Sequence, residues 1–309
     1  MSLFVMTGAT SGIGLQAARQ LLENPRHELI VGARDPERAE ALRRLAPEDR
    51  LKVAPLDTSS LKSVRAFAGF VQNASAGRKI AALGLNAGMQ PSNAARFTED
   101  GVEECFAANY LGHYCLSQLL QPLMENNGAI ILTASGAHNK ADPVGKFLGY
   151  HGQKYSSAAK VSVGALSETS SPAQGARDRY ATSKFCVLLY VFSKEPVKIH
   201  ENVRLIAFDP GTVPGTQIVR DLGLVAKFAW ATVFPVFAGM LSGFSTTTQS
   251  GDALAKLMAH PDLAPHTGLH IDYRLKTAKD SPETHDSNLQ SDLMAYSETA
   301  WPHSACALP

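Results

Sequence analysis

Short apolar runs alternate along the chain with stretches in which apolar residues recur at helical spacing. The runs at 3–7, 28–33, 51–56, 81–86, 129–135 and 203–208, with a weaker one near 268–271, read as strands buried on both faces. Segments near 12–23, 36–45, 60–72, 100–125, 178–194 and 249–259 read as the helices between them. This alternation predicts an α/β protein, a doubly wound parallel sheet in a single domain over residues 1–280. Two segments break the rhythm: the polar, Gly/Ser-rich 138–176 and the apolar 212–248. Long irregular stretches in a compact domain are usually functional lids or disordered surface. Beyond about 280 the chain turns polar and Ser-rich, and 281–309 is expected to form a weakly ordered tail.

Composition narrows the function more than the fold. Of the 309 residues 18% are charged, and 29 Lys+Arg against 28 Asp+Glu leave a net charge of +1. That balance removes the electrostatic case for a nucleic-acid partner, which needs a clear basic excess. The four cysteines, at 105, 115, 186 and 306, form no CxxC and no Cys/His cluster. No structural metal is expected, and scattered cysteines suggest reduced thiols in a cytoplasmic protein. Leu3-Phe4-Val5-Met6 is too short for a signal peptide, and Lys227 and Pro235 interrupt the one long apolar stretch, 222–244.

The first strand runs into Thr7-Gly8-Ala9-Thr10-Ser11-Gly12-Ile13-Gly14. A tight turn at Gly8, backbone N–H groups open to a pyrophosphate and a helix starting near Gly12 make a dinucleotide site at the first strand-to-helix junction. At the second strand's tip Ala33 stands where an acidic residue would grip a ribose 2′-hydroxyl. Arg34, with Arg38 nearby, suits a 2′-phosphate and hence NADP(H); a shift in register would put Asp35 on the ribose and favour NAD. Asp57 after the third strand either contacts adenine or caps the next helix. Asn86-Ala87-Gly88 ends the fourth strand, beside the expected ribose position.

Taken in order, Thr7-Gly8-x-x-x-Gly12-Ile13-Gly14, Asn86-Ala87-Gly88, Tyr180-x-x-x-Lys184 and Pro210-Gly211 resemble the short-chain dehydrogenase/reductases over about residues 3–260. Asn109-Tyr110-Leu111-Gly112-His113-Tyr114 and Ala134-Ser135-Gly136-Ala137-His138 are similar to the branch that holds retinol dehydrogenases and light-dependent protochlorophyllide reductase. The resemblance implies a Rossmann fold and hydride transfer between NADP(H) and a bulky apolar carbonyl or alcohol. Tyr180 would be the proton donor or acceptor, Ser135 would polarise the substrate oxygen, and Lys184 would bind the nicotinamide ribose. Asn109 would hold a water linking Lys184 to solvent. A nearby ammonium is also expected to lower the Tyr180 pKa. Pro210, Gly211 and Thr212 would meet the nicotinamide end.

Tyr-x-x-x-Lys occurs three times, as Tyr150/Lys154, Tyr180/Lys184 and Tyr190/Lys194. Gly149 and Gly152 flank Tyr150, Tyr190 lies too far along its helix, and Tyr180 opens an apolar helical run leading to the next strand. Context therefore selects Tyr180. His113 and His138 read as structural, and Cys186 as a buried thiol. The long gap between Ser135 and Tyr180 is shared with protochlorophyllide reductase and with some carbonyl reductases. Ser135, where that enzyme usually has threonine, favours carbonyl chemistry over C=C reduction. A catalytically silent NADP-binding regulator is the reading from another class; the presence of Asn109, Ser135, Tyr180 and Lys184 argues against it.

The apolar stretch after Pro210-Gly211 is expected to be a substrate lid. Phe228, Trp230, Phe234 and Phe237 would enclose a small apolar substrate at the nicotinamide end. Core packing and peripheral membrane contact are the alternatives, the latter thinly supported by Arg220 and Lys227. Many relatives form homo-oligomers through the helices at 100–125 and 178–194, a surface the 138–176 insertion would obstruct.

Overall fold

The computed structural model describes residues 1–47, 49–91, 94–166, 171–193, 203–213 and 243–300. Seven strands form one parallel sheet: β1 (Ser2–Thr7), β2 (His27–Ala33), β3 (Leu51–Pro55), β4 (Ile80–Leu85), β5 (Met124–Thr133), β6 (Arg204–Asp209) and β7 (Leu269–Asp272). Their order is β3-β2-β1-β4-β5-β6-β7, the doubly wound arrangement expected. Side chains along each strand divide between two cores. Leu3 and Val5 of β1 enter one and Phe4 and Met6 the other; Leu205 and Ala207 of β6 separate in the same way from Ile206 and Phe208. Burial on both faces is why these strands read as unbroken apolar runs.

Helices α1 (Gly12–Leu22) and α2 (Glu40–Arg43) supply the core that takes Phe4 and Met6, and α3 (Leu61–Ser75) packs on the opposite face. A 3-10 turn at Pro36–Ala39 precedes α2, so the helix expected over 36–45 is short and irregular. On the α3 side follow α4 (Glu104–Phe106), a π-helical turn at Ala107–Leu111 and α5 (Gly112–Leu120). The single helix expected over 100–125 is thus broken at its middle, and Met124 already begins β5. The 138–176 segment contains α6 (Pro143–Phe147), α7 (Ala158–Ser162) and the first residues of α8 (Pro172–Phe192). Helix α9 (Thr247–Ala259) returns to the α1 side, held at its start by a Thr246/Gln249 capping box. Among the described residues no helix is long and apolar enough to cross a membrane.

The C-terminal stretch departs from expectation. Residues Ser287–Ala300 form a helix, α10, whose inward stripe is Gln290, Leu293, Met294 and Ser297. Half of that stripe is polar, which hides it from a hydrophobic pattern. The polar half is satisfied internally: Gln290 Nε2 donates to Thr284 O at 2.8 Å, and Ser297 Oγ pairs with the buried Tyr110 hydroxyl at 2.8 Å. Asp292 Oδ2 accepts from Tyr155 Oη and from Ala158 N, both at 2.7 Å, tying α10 to α7. Residues 301–309 lie outside the described residues. Truncating the fully buried Leu293 to Ala should cost about 2–5 kcal/mol, read as a lower urea midpoint. An unchanged midpoint would return this segment to the status of a tail.

Candidate active site

At the carboxyl ends of β1 and β4 the chain order reverses, and a cleft of about 1690 Å³ opens there. Its floor is bare backbone. Gly8 has φ +68°, and a Cβ on it would lie 2.7 Å from the Ala87 backbone. Gly14 packs behind, where a Cβ would come within 2.1 Å of the Gly8 carbonyl oxygen. Thr10, Ser11, Gly12 and Ile13 line the cleft as α1 begins. Ser11 is the N-cap of α1 but makes no side-chain cap bond, which leaves the first-turn N–H groups of that helix to an outside acceptor. A side-chain-free floor and an uncapped helix start fit a dinucleotide pyrophosphate.

Asn86 and Ala87 close the other wall. Asn86 Nδ2 donates to Gly8 O at 3.2 Å, Thr133 Oγ1 donates to Asn86 Oδ1 at 3.1 Å, and Ala87 N donates to Thr7 Oγ1 at 2.9 Å. At the tip of β2, Ala33 is the last strand residue, and Arg34, Asp35 and Arg38 border the cleft with exposed side chains. Asp35 Oδ1 accepts from Glu37 N at 3.1 Å, while its other oxygen pairs with Arg38 Nε at 3.3 Å. Asp57 lines the cleft, its Oδ1 accepting from Ser59 N at 2.9 Å and Ser59 Oγ at 2.7 Å, whereas the cap of α3 is Ser60, whose Oγ accepts from Ser63 N.

Ser135, Tyr180 and Lys184 gather further along the same cleft, the last two on one face of α8. Burial pushes the Tyr180 phenol up to about 12, partly offset by its hydrogen bond with Ser135. Burial also lowers Lys184 to about 8. The Lys184 ammonium donates to Thr133 O at 2.7 Å and stands 5.9 Å from the Tyr180 ring centre. The lowered phenol pKa expected from a neighbouring ammonium is therefore not found, because desolvation dominates. Asn109 lies fully buried behind Gly88. Its Oδ1 accepts from Met89 N at 2.7 Å, and its Nδ2 donates to Met89 O at 2.8 Å and Ser183 Oγ at 2.9 Å.

Of the other two Tyr-x-x-x-Lys tyrosines, Tyr190 is in the core, bonded to Ser117 Oγ at 2.8 Å and Gln118 Nε2 at 3.0 Å. Tyr150 does line the cleft, whereas Lys154 is not among its lining residues. Pro210, Gly211 and Thr212 line the cleft beyond β6, and a bridge between Thr212 and Phe244 joins the chain on either side of 214–242. The lid residues Phe228, Trp230, Phe234 and Phe237 lie outside the described residues.

Comparison with known proteins agrees with this geometry. Residues 2–172 match the family model described as short chain dehydrogenase. The chain belongs to the short-chain dehydrogenase family. It is 28% identical over 288 residues to the short-chain dehydrogenase TIC 32 B, chloroplastic, of Brassica napus, covering 86% of this chain and 78% of the relative. It is 31% identical over 237 residues to the polyprenol dehydrogenase of Mus musculus (73% and 63%). Against protochlorophyllide reductase A, chloroplastic, of Arabidopsis thaliana it is 28% identical over 279 residues (84% and 66%). Among solved structures, an NADPH-bound carbonyl reductase from chicken fatty liver shares the fold with a TM-score of 0.61 at 21% identity, covering 90% of this chain and 98% of that one.

Two histidines of this family member, read as structural from sequence, support the site directly. His113 Nε2 lies 3.2 Å from Thr7 Oγ1. The Asn109 carbonyl can only accept, so the neutral His113 carries its proton on Nδ1 toward it, and its Nε2 accepts from the Thr7 hydroxyl, whose oxygen in turn accepts from Ala87 N. One neutral imidazole thus joins the tip of β1, the loop after β4 and the π-helical turn. Its place four residues after Asn109 was the available signal. His138 Nδ1 bonds Ser135 O at 2.7 Å, and its Nε2 accepts from Ser281 N at 3.3 Å, which ties the C-terminal segment to Ser135.

Burial and the nearby Lys184 ammonium lower His113 to about 3. Between that value and about 6.5 the unfolded chain binds a proton that the folded one refuses, so folding stability should fall as pH drops through this window. Replacing His113 with Gln should remove close to one proton, about 1.4 kcal/mol per pH unit, from that slope in urea titrations. An unaltered slope would mean that His113 is not held neutral.

Proposed function

We propose that this protein is an NADP(H)-dependent oxidoreductase acting on bulky apolar carbonyl compounds or the corresponding alcohols. The observation that carries the reading is that Ser135, Tyr180 and Lys184 line the same cleft as the glycine turn, with Tyr180 kept protonated by burial. When bound, the nicotinamide supplies or takes up the hydride. Ser135 hydrogen-bonds the substrate oxygen and polarises it; Tyr180 gives that oxygen its proton in the reducing direction. With its pKa pushed up, Tyr180 is protonated at neutral pH and available as a donor. Lys184 anchors the ribose and returns a proton toward Tyr180. The Asn109 carboxamide, committed to Met89 and Ser183, braces the wall behind Gly88 and Lys184.

An apolar substrate is supported by the pocket wall beside Tyr180, where Ala137, Leu148 and Tyr150 cluster. The relationship to a polyprenol dehydrogenase points the same way. NADP(H) is supported by Arg34 at the tip of β2 and by the engagement of Asp35 with Glu37 N and Arg38. The buried, unbridged thiols of Cys105, Cys115 and Cys186 are in keeping with a cytoplasmic protein.

Two substitutions test this. Arg34→Ala should cut the preference for NADPH over NADH by about ten- to a hundredfold, the size of a charge-assisted contact of about 1.5–3 kcal/mol. Equal use of both nucleotides by the unmodified protein would refute that assignment. Tyr180→Phe should lower turnover of a carbonyl panel by about 10²–10⁴-fold with NADPH affinity kept. Undiminished turnover would remove Tyr180 from the chemistry; absence of turnover in the unmodified protein would favour a nucleotide-binding regulator.

A further inference from the structure

Beside Tyr180 stands a second tyrosine with a polar partner of its own. Tyr150 is 5% exposed, and its ring centre lies 5.9 Å from that of Tyr180 at an interplanar angle of 48°. Its hydroxyl donates to Gln90 Oε1 at 2.9 Å, and both residues line the cleft. Gln90 belongs to the loop after β4, whereas Tyr150 belongs to the insertion after β5. The bond therefore spans the substrate end of the cleft from one side to the other. Around it the wall is apolar: Ala137, Leu148 and Ala181 pack with the two tyrosines.

The donor and acceptor inventory gives this pair a direction. An amide whose oxygen is taken by a phenol is fixed in rotation, and its two N–H donors point away from that phenol. Gln90 is half-buried and lines the cleft, where a donor not engaged by Tyr150 is open to a ligand. A site that offers a fixed donor in an otherwise apolar wall discriminates strongly between ligands that satisfy it and ligands that leave it unpaired.

We propose that Gln90, oriented by Tyr150, selects carbonyl substrates that carry a second hydrogen-bond-accepting oxygen besides the reacting one. The inference rests on the reading of Tyr180 as the proton donor, because that residue fixes where the reacting carbonyl lies. Tyr150 acts through Gln90 as a positioning residue, and Gln90 makes the contact. The substrate is then apolar in bulk but bifunctional in oxygen, such as a keto ester, rather than a plain ketone.

Two probes of equal chain length, 2-octanone and propyl acetoacetate, separate the cases. Binding is measured calorimetrically on the full-length Tyr180→Phe protein loaded with NADPH, so that the outcome is independent of turnover. The keto ester should bind at least about tenfold more tightly than the ketone. Gln90→Leu in this background should bring the ratio close to one, and Tyr150→Phe should lower it in the same direction while the melting temperature reports any loss of fold. A ratio near one in the starting protein, or a ratio that survives both substitutions, overturns the proposal and leaves the bond a latch between two loops. Turnover of both probes by the unmodified protein tests the Tyr180 reading separately. A preserved binding preference without turnover would contradict that reading and not this one.

Discussion

The site depends on two strand tips meeting through bare backbone. Gly8 after β1 and Ala87 after β4 stand so close that a single Cβ on Gly8 has no room, and Gly14 brings the start of α1 against the Gly8 carbonyl. Any side chain at these points would force the strand ends apart and move the first-turn N–H groups of α1 away from the cleft. Hydrogen bonds then hold the junction without filling it. Asn86 bonds Gly8, Thr7 bonds Ala87, and His113 bonds Thr7 from below. Polar groups buried this deeply are tolerable because each has a partner.

Desolvation sets the chemistry on the opposite wall. Lys184 is almost fully buried with the Thr133 carbonyl as its hydrogen-bond acceptor, and Tyr180 is raised toward 12. Each shift disfavours the charged form, although a lysine near 8 still carries its proton at neutral pH. The insertion after β5 and the segment leading into α10 shape this wall as well, through Tyr150 on one side and the His138–Ser281 contact on the other.

The strands and the glycine turn were legible in the sequence because both follow from local rules. Strands buried on two faces must be apolar throughout, and a turn with φ above zero at a close approach calls for glycine. Ser135, Tyr180 and Lys184 were found through order and context and do line one cleft. What stayed hidden depends on distant partners. Helix α10 escaped because Gln290 and Ser297 occupy core positions and find hydrogen bonds in Thr284 and Tyr110. Tyr150 was set aside because glycines flank it, yet those same turns carry it into the pocket. Asp57 reads equally as ligand or cap in the sequence; the cap of α3 is in fact Ser60, and Asp57 stands at the cleft. The direction of the Tyr180 shift was misread because proximity of an ammonium is visible in sequence spacing and depth of burial is not.

The central claim is that this cleft moves a hydride between a nicotinamide and a carbonyl carbon. NADPH deuterated at the transferable C4 position, incubated with a keto ester and followed by mass spectrometry of the alcohol, tests it directly. The account predicts one deuterium on the carbinol carbon of the product. Saturating NADPH binding with no deuterated alcohol from any member of a carbonyl panel would contradict it.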